Sequence, residues 1–255
     1  MNKISIIIPI LNEADIIGKL LQHLLDNSLK ENIAEIIVVD GGSTDGSMEM
    51  VKAFVTSSDS ELSESYREED PETSSGWTRH NIKFMISPKG RAKQMNLGSR
   101  NASGNILYFL HADAFPPKDF DNYIIQEIKK NNLAGCFRMK FDYKHWWLKL
   151  ASWFTQFSWR ACRGGDQSQF ITKKLFNDIG CFDESFIIYE DNILINELYA
   201  RNEFVVIQHK IKTSARGYKK KGVWKLQYHF LVIYMKRWFG ASAEELHRYY
   251  KQHIV

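Results

Sequence analysis

Residues 34–47 read AEIIVVDGGSTDGS, and this stretch decides the fold. Its first half is an almost unbroken apolar run that ends at Asp40, as is typical of a strand buried on both faces. A Gly-Gly-Ser turn follows, and Thr44 or Asp45 can cap a helix that extends to about Val55. The stretch therefore predicts a strand–turn–helix unit of the kind from which parallel sheets are built.

The segments on both sides repeat this unit. Apolar runs predict strands at 4–10, 82–87 and 105–113, and helical spacing predicts helices at 13–25 and 90–102. Further along we expect helices at 119–131, 145–161, from Lys173 and at 189–202, and strands at 133–141, before Lys173 and at 203–211. We therefore expect an α/β fold with a mostly parallel central sheet flanked by helices, in which ligands bind at the carboxyl ends of the strands.

Composition narrows the class of protein. The net charge of +4 over 255 residues gives no argument for a nucleic-acid partner. Three cysteines without C-x-x-C spacing indicate neither a zinc ribbon nor a thioredoxin-type site, and they fit a reducing compartment. The first apolar run is too short for a signal peptide, and no run has the 18 apolar residues or so of a membrane span. The sequence thus predicts a cytoplasmic protein.

Two segments depart from the alternating pattern. Residues 56–81 are rich in Ser and Glu and poor in aliphatic residues, so we expect a mobile surface insertion, and an inert one is favoured. Residues 219–240 mix Lys and Arg with aromatic residues and could lie on a membrane surface, presenting a lipid-linked acceptor. The favoured alternative is a C-terminal helix that packs on the domain or on a second copy of the chain.

Acids gather where the predicted strands end. Asp40 can accept hydrogen bonds from the ribose or base of a nucleoside, and the glycines after it let the backbone approach a ligand. The favoured alternative is a strand-end carboxylate that only caps its turn. The turn is neither G-x-G-x-x-G nor a Walker motif, which disfavours dinucleotide binding and P-loop chemistry.

The run ILYFLHAD at 106–113 ends on a second such acid, Asp113. Mg²⁺ or Mn²⁺ often uses one or two protein carboxylates and takes its other ligands from a nucleoside diphosphate. His111 would point to the same side if the strand continued, as a further metal ligand, as a partner of the phosphates or as a packed strand-end histidine.

Charged residues at predicted helix starts are the remaining candidates. Arg91 and Lys93 open a helix against its dipole, which suggests a nearby anion or, equally, two solvated side chains. Asp191 is either an N-cap, which the residue alone favours, or a general base for an acceptor hydroxyl. Asp166 lies in a glycine turn that suits a substrate loop or only a tight bend.

In order along the chain, these motifs resemble the GT-A-fold, family-two inverting glycosyltransferases. The resemblance rests on SIIIPILNE, IIVVDGGSTDGS, GRAKQMNLGSRNASGNILYFLHAD, GGDQSQFITKKLFNDIGCFDE and YEDNILINELYARN, which span most of the chain. GRAKQMNLG, LHAD, GGDQ and TSARGY look more like a small bacterial subgroup, the radical-SAM/selenodomain-associated transferase 2 proteins, some of which are named arsenosugar-biosynthesis glycosyltransferases.

The resemblance implies a role for each candidate residue. A nucleoside diphosphate sugar, with UDP or GDP as the nucleotide, would be the donor. Its pocket would be formed by Pro9, Asn12, Glu13, Asp40, Asp45, Arg91, Lys93 and Arg216, the last of these helping to hold the diphosphate. Asp113 would stand at the final acid of the D-x-D motif and bind Mn²⁺ or Mg²⁺, with His111 in place of the first acid. Asp191, with Glu190 beside it, would match the catalytic base, and Gly165, Asp166 and Gln167 would form the acceptor loop.

These roles describe an inverting, metal-assisted single displacement onto the hydroxyl of a small or lipid-linked acceptor. We expect the transferase domain at 1–217 and a C-terminal helical extension at 218–255, with membrane contact or a homodimer as further expectations. A nucleotidyltransferase is an alternative, disfavoured because the N-terminus lacks a lysine-rich triphosphate loop. A non-catalytic nucleotide-binding module is the other alternative, which the replacement at His111 leaves open.

Overall fold

The computed structural model describes residues 2–56, 81–164 and 167–254. Most of the predicted insertion at 56–81, and the turn residues Gly165 and Asp166, lie outside this part of the chain. The strands are β1 Ile4–Ile10, β2 Ile33–Asp40, β3 Ile82–Ile86, β4 Ile106–Phe109, β5 Ala114–Phe115, β6 Ala134–Phe141, β7 Gln169–Thr172 and β8 Val205–Thr213. The helices are α1 Ala14–Asp26, α2 Ser47–Thr56, α3 Arg91–Asn101, α4 Phe120–Lys129, α5 Trp146–Phe154, α6 Lys173–Ile179, α7 Glu190–Ala200, α8 Arg216–Lys221, α9 Val223–Trp238 and α10 Ala243–His253.

All eight of these strands form one sheet, in the order β3-β2-β1-β4-β7-β6-β8-β5. Pairing is parallel between β3 and β2, β2 and β1, β1 and β4, and β6 and β8. Strand β7 runs antiparallel between β4 and β6, and the short β5 runs antiparallel to β8. The predicted mostly parallel sheet is therefore confirmed, and six strands end at one common edge.

Helices cover both faces of the sheet because β1 and β2 are apolar on both sides. Helix α1 buries the leucine and isoleucine residues of one stripe against one face. On the other face Gly98 lets α3 approach β1 closely, since a Cβ there would lie 2.5 Å from Cγ2 of Ile7. This close packing brings the start of α3 to the edge where the parallel strands end.

The strand predicted at 105–113 is shorter in the structure. Strand β4 ends at Phe109, which pairs with Ile7 in the last register position of the β1–β4 ladder. The chain then turns, with the Ala114 N–H donating to the His111 carbonyl over 3.1 Å, and it re-enters the sheet as β5. The extended conformation that would place His111 and Asp113 on the same side therefore does not continue beyond Phe109.

The aromatic helix predicted at 145–161 is also shorter, because α5 ends at Phe154 and turns lead from there to a 3-10 segment, Arg160–Cys162. The C-terminal helices pack on the rest of the chain through Leu226, Ile233 and Leu246, which meet Phe186 and Ile188 in one apolar cluster. In the described parts of the chain, no helix has both the length and the apolar character that crossing a membrane requires.

Candidate active site at the carboxyl edge of the sheet

Asp40 ends β2 and is buried in the turn that follows it. The Ser43 N–H lies 3.1 Å from each carboxylate oxygen, and the Ser43 hydroxyl donates to Oδ1 over 2.5 Å. Asn12 continues this network, because its N–H donates to the Ser43 Oγ and its Oδ1 accepts from the Thr44 N–H. The predicted turn cap thus describes the present contacts of Asp40, and nucleoside binding stays a prediction.

Asp45 ties the start of α1 to the start of α2. Its Oδ2 accepts from the Ala14 N–H over 3.1 Å, and its Oδ1 accepts from the hydroxyl and the N–H of Ser47. The Ser47 hydroxyl in turn accepts from the Glu13 N–H over 2.8 Å. The bond from the Ser47 hydroxyl is the main cause that lowers the pKa of Asp45. Asp45 is therefore an anionic clamp on the two loops that follow β1 and β2.

Gln94 holds the same two strand ends from the side of α3, and the sequence interpretation missed it. Its amide donates to the Ile10 carbonyl over 2.8 Å and to the Val39 carbonyl over 2.7 Å, in a buried position. A Cβ at Gly41 would lie only 3.0 Å from this amide, so the glycine leaves room for it. The sequence feature that could have identified Gln94 is its position as a polar residue on the apolar face of a helix that begins at this edge.

Arg216, Glu13 and Asp113 meet at the edge from three distant parts of the chain. The Arg216 Nη2 donates to both carboxylate oxygens of Glu13, over 2.9 and 2.8 Å, and lies 3.7 Å from the Asp113 Oδ2. Burial is the main cause that raises the pKa of Glu13, while the guanidinium opposes it. The contact joins the two predicted donor-site residues Glu13 and Arg216 to the predicted metal ligand.

The surroundings of Asp113 fit a divalent cation that takes most of its ligands from a diphosphate and water. The carboxylate is 28% exposed, and the 3.7 Å contact to Arg216 is too long for a hydrogen bond, so its oxygens can accept a further partner. Among the described residues no three His, Cys, Asp or Glu side chains form a metal cluster. Such a site would therefore depend on ligands from the donor.

A second acidic pair begins helix α7. Glu190 is completely buried, and its Oε1 lies 2.7 Å from the Arg91 Nε at the start of α3. The Arg91 guanidinium therefore forms an ion pair with the Glu190 carboxylate inside the protein. Burial raises the pKa of Glu190 to about 7, against the opposing charge of Arg91. Arg91 thus contacts a protein carboxylate rather than only solvent.

Asp191 follows Glu190 and is 8% exposed. The residue before the helix is Tyr189, in a left-handed conformation with φ 75°, and it provides no side-chain cap. Asp191 therefore lies inside the first turn and is not the N-cap that the residue type alone favoured. Its position leaves the general-base interpretation as a prediction.

Gln167, the one described residue of the predicted acceptor loop, is buried next to Arg163. The Gln167 Oε1 accepts from the Arg163 Nη1 over 2.9 Å and from the Cys136 Sγ over 3.1 Å. Arg163 also donates to the Thr155 and Phe157 carbonyls, each over 2.7 Å. Arg163 therefore connects Gln167 to the segment that follows α5. No local pattern in the sequence identified this arginine.

Two further predicted residues have structural positions but no tested role. Pro9 is buried in β1 opposite Val39, and Lys93 is half-buried in the first turn of α3. Their place in a donor pocket stays a prediction, as does that of His111, which lies in the turn after β4.

The comparisons with known proteins identify the family of the chain. The family model "Glycosyl transferase family 2" matches residues 5–193, so the chain belongs to glycosyltransferase family 2. It is 30% identical over 141 residues to a dolichyl N-acetyl-alpha-D-glucosaminyl phosphate 3-beta-D-2,3-diacetamido-2,3-dideoxy-beta-D-glucuronosyltransferase of Methanococcus voltae, covering 55% of this chain and 36% of the relative. It is also 30% identical over 115 residues to glycosyltransferase AglE of Haloferax volcanii, covering 44% and 31%. The matched segments span about a third of the length of these relatives.

Solved structures with the GT-A fold are similar over most of the chain. The mannosyltransferase PcManGT of Pyrobaculum calidifontis, in complex with GDP-Man and Mn²⁺, has a TM-score of 0.64 at 17% identity, covering 98% of this chain and 70% of that one. Residues 1–349 of S. aureus TarS, in complex with UDP-GlcNAc, have a TM-score of 0.61 at 19% identity, covering 84% and 59%. At these identities the likeness shows the fold, and it confirms the expected GT-A architecture.

Proposed function

We propose that this chain is an inverting glycosyltransferase that moves a sugar from a nucleoside diphosphate sugar to an acceptor hydroxyl. The observation that carries the proposal is the contact of Arg216 with Glu13 and Asp113 at the carboxyl edge of the parallel strands. One cation between two acids at this edge suits a charged diphosphate, whose phosphates need a guanidinium and whose metal needs a carboxylate. Membership of family 2 supports the same reaction class.

The donor would be a UDP- or GDP-sugar. PcManGT is seen with GDP-Man and TarS with UDP-GlcNAc, so the fold accommodates either nucleotide. In this chain Asp40 and Asn12 would contact the nucleoside, because the turn that holds them lies where two parallel strands end. Pro9, Asp45 and Lys93 would complete the pocket.

Asp113, with His111 as a second candidate ligand, would hold Mn²⁺ or Mg²⁺ together with the diphosphate. The ion would supply Lewis-acid stabilisation of the charge on the departing nucleoside diphosphate. The Mn²⁺ in the PcManGT complex supports a divalent ion for this fold. The chain's own contribution is Arg216, whose guanidinium would bind the diphosphate from the side of Glu13.

Asp191 would take the proton from the acceptor hydroxyl as its oxygen attacks the anomeric carbon. The new bond forms as the bond from that carbon to the diphosphate oxygen breaks, so the configuration inverts. Glu190, the first residue of α7 and the ion-pair partner of Arg91, would act beside Asp191 as the second acid of the catalytic pair. Gln167, with Gly165 and Asp166, would belong to the loop that receives the acceptor.

The proposal also covers the subgroup, the acceptor, the location and the domain organisation of the protein. The motifs GRAKQMNLG, LHAD, GGDQ and TSARGY support membership of the radical-SAM/selenodomain-associated transferase 2 subgroup. The acceptor would be a small molecule or a lipid-linked one, and the name of the Methanococcus voltae relative, a dolichyl-phosphate sugar transferase, supports the second. We also propose a cytoplasmic protein with a transferase domain at 1–217, a helical extension at 218–255, contact with the inner face of the membrane and, as an alternative, a homodimer.

The first test is calorimetric titration with UDP and with GDP, with and without Mn²⁺, on the wild type and Asp113→Ala. We expect one nucleotide to bind only with Mn²⁺, and the variant to lose this binding. Equal binding without Mn²⁺ would contradict the role of Asp113, and no binding of either nucleotide would contradict the donor class. Asp191→Asn should bind the nucleotide normally and lose turnover by at least about 100-fold. Full turnover in that variant would contradict the assignment of the base.

A further inference from the structure

The segments around helices α5 and α9 carry basic residues without acids. Residues 214–243 contain seven Lys and Arg and no Asp or Glu, and residues 143–164 contain four Lys and Arg and no acid. The whole chain has a net charge of only +4, so its positive charge is concentrated in these two segments. Such segments are attracted to anionic surfaces, each Lys or Arg near an anionic membrane being worth about 1 kcal/mol.

Helix α9 is apolar on two opposite sides. Its inner side buries Val223, Leu226 and Ile233 against the domain. Its outer side exposes a row at intervals of four and three residues: Trp224 54%, Tyr228 62%, Leu231 57%, Met235 46% and Trp238 87%. That spacing places the five side chains in one stripe along the helix, whose sixteen residues extend about 24 Å. The inner side already packs on the domain, so a continuous apolar stripe exposed on the outer side indicates an interaction surface.

Helix α5 extends this stripe. Trp146 is 62% exposed, Leu150 37% and Trp153 50%, again at intervals of four and three residues. The Trp146 ring centroid lies 5.7 Å from that of Trp224 on α9. The two rows therefore meet in one exposed aromatic surface, which we call the α5–α9 face.

The α5–α9 face begins beside the candidate active site. Helix α5 follows the carboxyl end of β6, and α8 and α9 follow that of β8. Lys219 of α8 lies 3.3 Å from Asp142, and Asp142 accepts from the Ala215 N–H next to Arg216. A partner on this face would thus lie next to the residues proposed to hold the donor.

We infer that the α5–α9 face is a docking surface for an anionic lipid bilayer, with α9 lying in the plane of the interface. Tryptophan and tyrosine favour the boundary between headgroups and acyl chains, and flanking lysines add attraction to anionic headgroups. A symmetric dimer through this face would bring the basic segments 143–164 and 214–243 of two copies close to each other, which charge complementarity disfavours. Only the consequence for the acceptor rests on the proposed function: docking here would present a lipid-linked hydroxyl to the carboxyl edge of the sheet.

The test is co-sedimentation of the full chain with vesicles of phosphatidylcholine alone or of equal parts phosphatidylcholine and phosphatidylglycerol. We expect binding to the anionic vesicles, weakened by salt, and quenching of tryptophan fluorescence by bromine-labelled lipid. Lys149→Gln with Lys225→Gln should weaken binding about fivefold for each lysine, roughly 30-fold for both. The matched pair Lys19→Gln and Lys52→Gln, exposed on α1 and α2, should leave the binding nearly unchanged.

An apolar pair of variants tests the stripe itself. Tyr228→Ser with Leu231→Ser should abolish the quenching, whereas Leu29→Ser with Met50→Ser, at exposed positions after α1 and on α2, should not. Equal loss in both pairs, or no binding to anionic vesicles by the wild type, would overturn the inference. A concentration-dependent dimer that Tyr228→Ser with Leu231→Ser dissociates, without vesicle binding, would assign the face to a second copy. Nucleotide titration without vesicles tests the proposed function separately.

Discussion

Replacing Glu190 by glutamine should remove a loss of stability that the wild type suffers as the pH rises. Glu190 is completely buried, and its Oε1 lies 2.7 Å from the Arg91 Nε. Burial therefore raises its pKa from 4.5 to about 7. The folded state binds this proton more tightly than the unfolded state does, so the stabilising contribution is complete below the unfolded pKa and is lost as the pH rises through the folded pKa.

The magnitude follows from the two pKa values. Each pKa unit corresponds to about 1.4 kcal/mol, so the part of the shift that falls between about pH 5 and about pH 8 corresponds to about 2–3 kcal/mol. The glutamine side chain does not titrate, so the unfolding free energy of Glu190→Gln, measured relative to wild type, should rise by about this amount across the same interval. The other titrating groups cancel in the difference.

Urea denaturation of both proteins at several pH values between these limits measures the effect. Glu197→Gln is the matched control, because Glu197 lies on the same helix and its Oε1 also lies 2.7 Å from an arginine Nε, that of Arg201, but its side chain is 45% exposed. It should change the unfolding free energy by less than about 1 kcal/mol at every pH. A difference between Glu190→Gln and wild type that stays constant from about pH 5 to about pH 8 would refute the reasoning.

Substitutions at three further residues test the carboxyl edge and the helix α3 that packs beside it. Arg216→Gln should weaken UDP or GDP binding by at least about tenfold in calorimetry and leave binding of the free nucleoside unchanged. Arg201→Gln is the control. Equal weakening of the nucleotide and the nucleoside would argue against a contact with the diphosphate. Gly98→Ala should lower the unfolding free energy by about 1–3 kcal/mol, because its Cβ would meet the Ile7 side chain at 2.5 Å, and an unchanged urea midpoint would show that the helix can shift. Gln94→Ala should lower the unfolding free energy by about 1–3 kcal/mol, because the buried Val39 and Ile10 carbonyls each lose the bond from the amide, although Ile10 keeps its bond from the Gly41 N–H. Gln94→Glu at high pH should lower it further. Urea unfolding measures both, and an unchanged midpoint for Gln94→Ala would mean that water replaces the amide.

The sequence predicted the parallel core of the fold because its strands are apolar on both faces. The run from Ile36 to Val39 has no helical period, and a turn of glycines follows it, so both the strand and its end at Asp40 could be recognised. The same logic failed after Phe109, because the apolar run continues to Leu110 whereas Phe109 pairs with Gln169, the first residue of the antiparallel partner β7. Periodicity reports which residues are buried, whereas the end of a strand depends on where its partner ends.

The end of helix α5 could not be predicted from local sequence patterns, for a related reason. Aromatic residues continue to Trp159, yet the helix stops at Phe154. The buried Arg163 guanidinium binds the Thr155 and Phe157 carbonyls, over 2.7 Å each, and so satisfies acceptors that would otherwise require further helical turns. An arginine eight residues away in sequence carries no periodic signal, so it was found only in the folded chain.

At the candidate site, the sequence could predict the individual residues but not the contacts between them. Each of Glu13, Asp113 and Arg216 could be proposed from its own motif, but the contact between Glu13 and Arg216 spans 203 residues in sequence. The pairing changes the chemistry expected of Arg216. Among the described residues, the contacts that it makes with these two acids all use Nη2. A guanidinium is planar and carries five N–H donors, so a diphosphate can approach the remaining donors while Nη2 stays on Glu13. Lysine carries its three N–H donors on one nitrogen at the end of a flexible stem and lacks this planar fork, which is why an arginine suits this position.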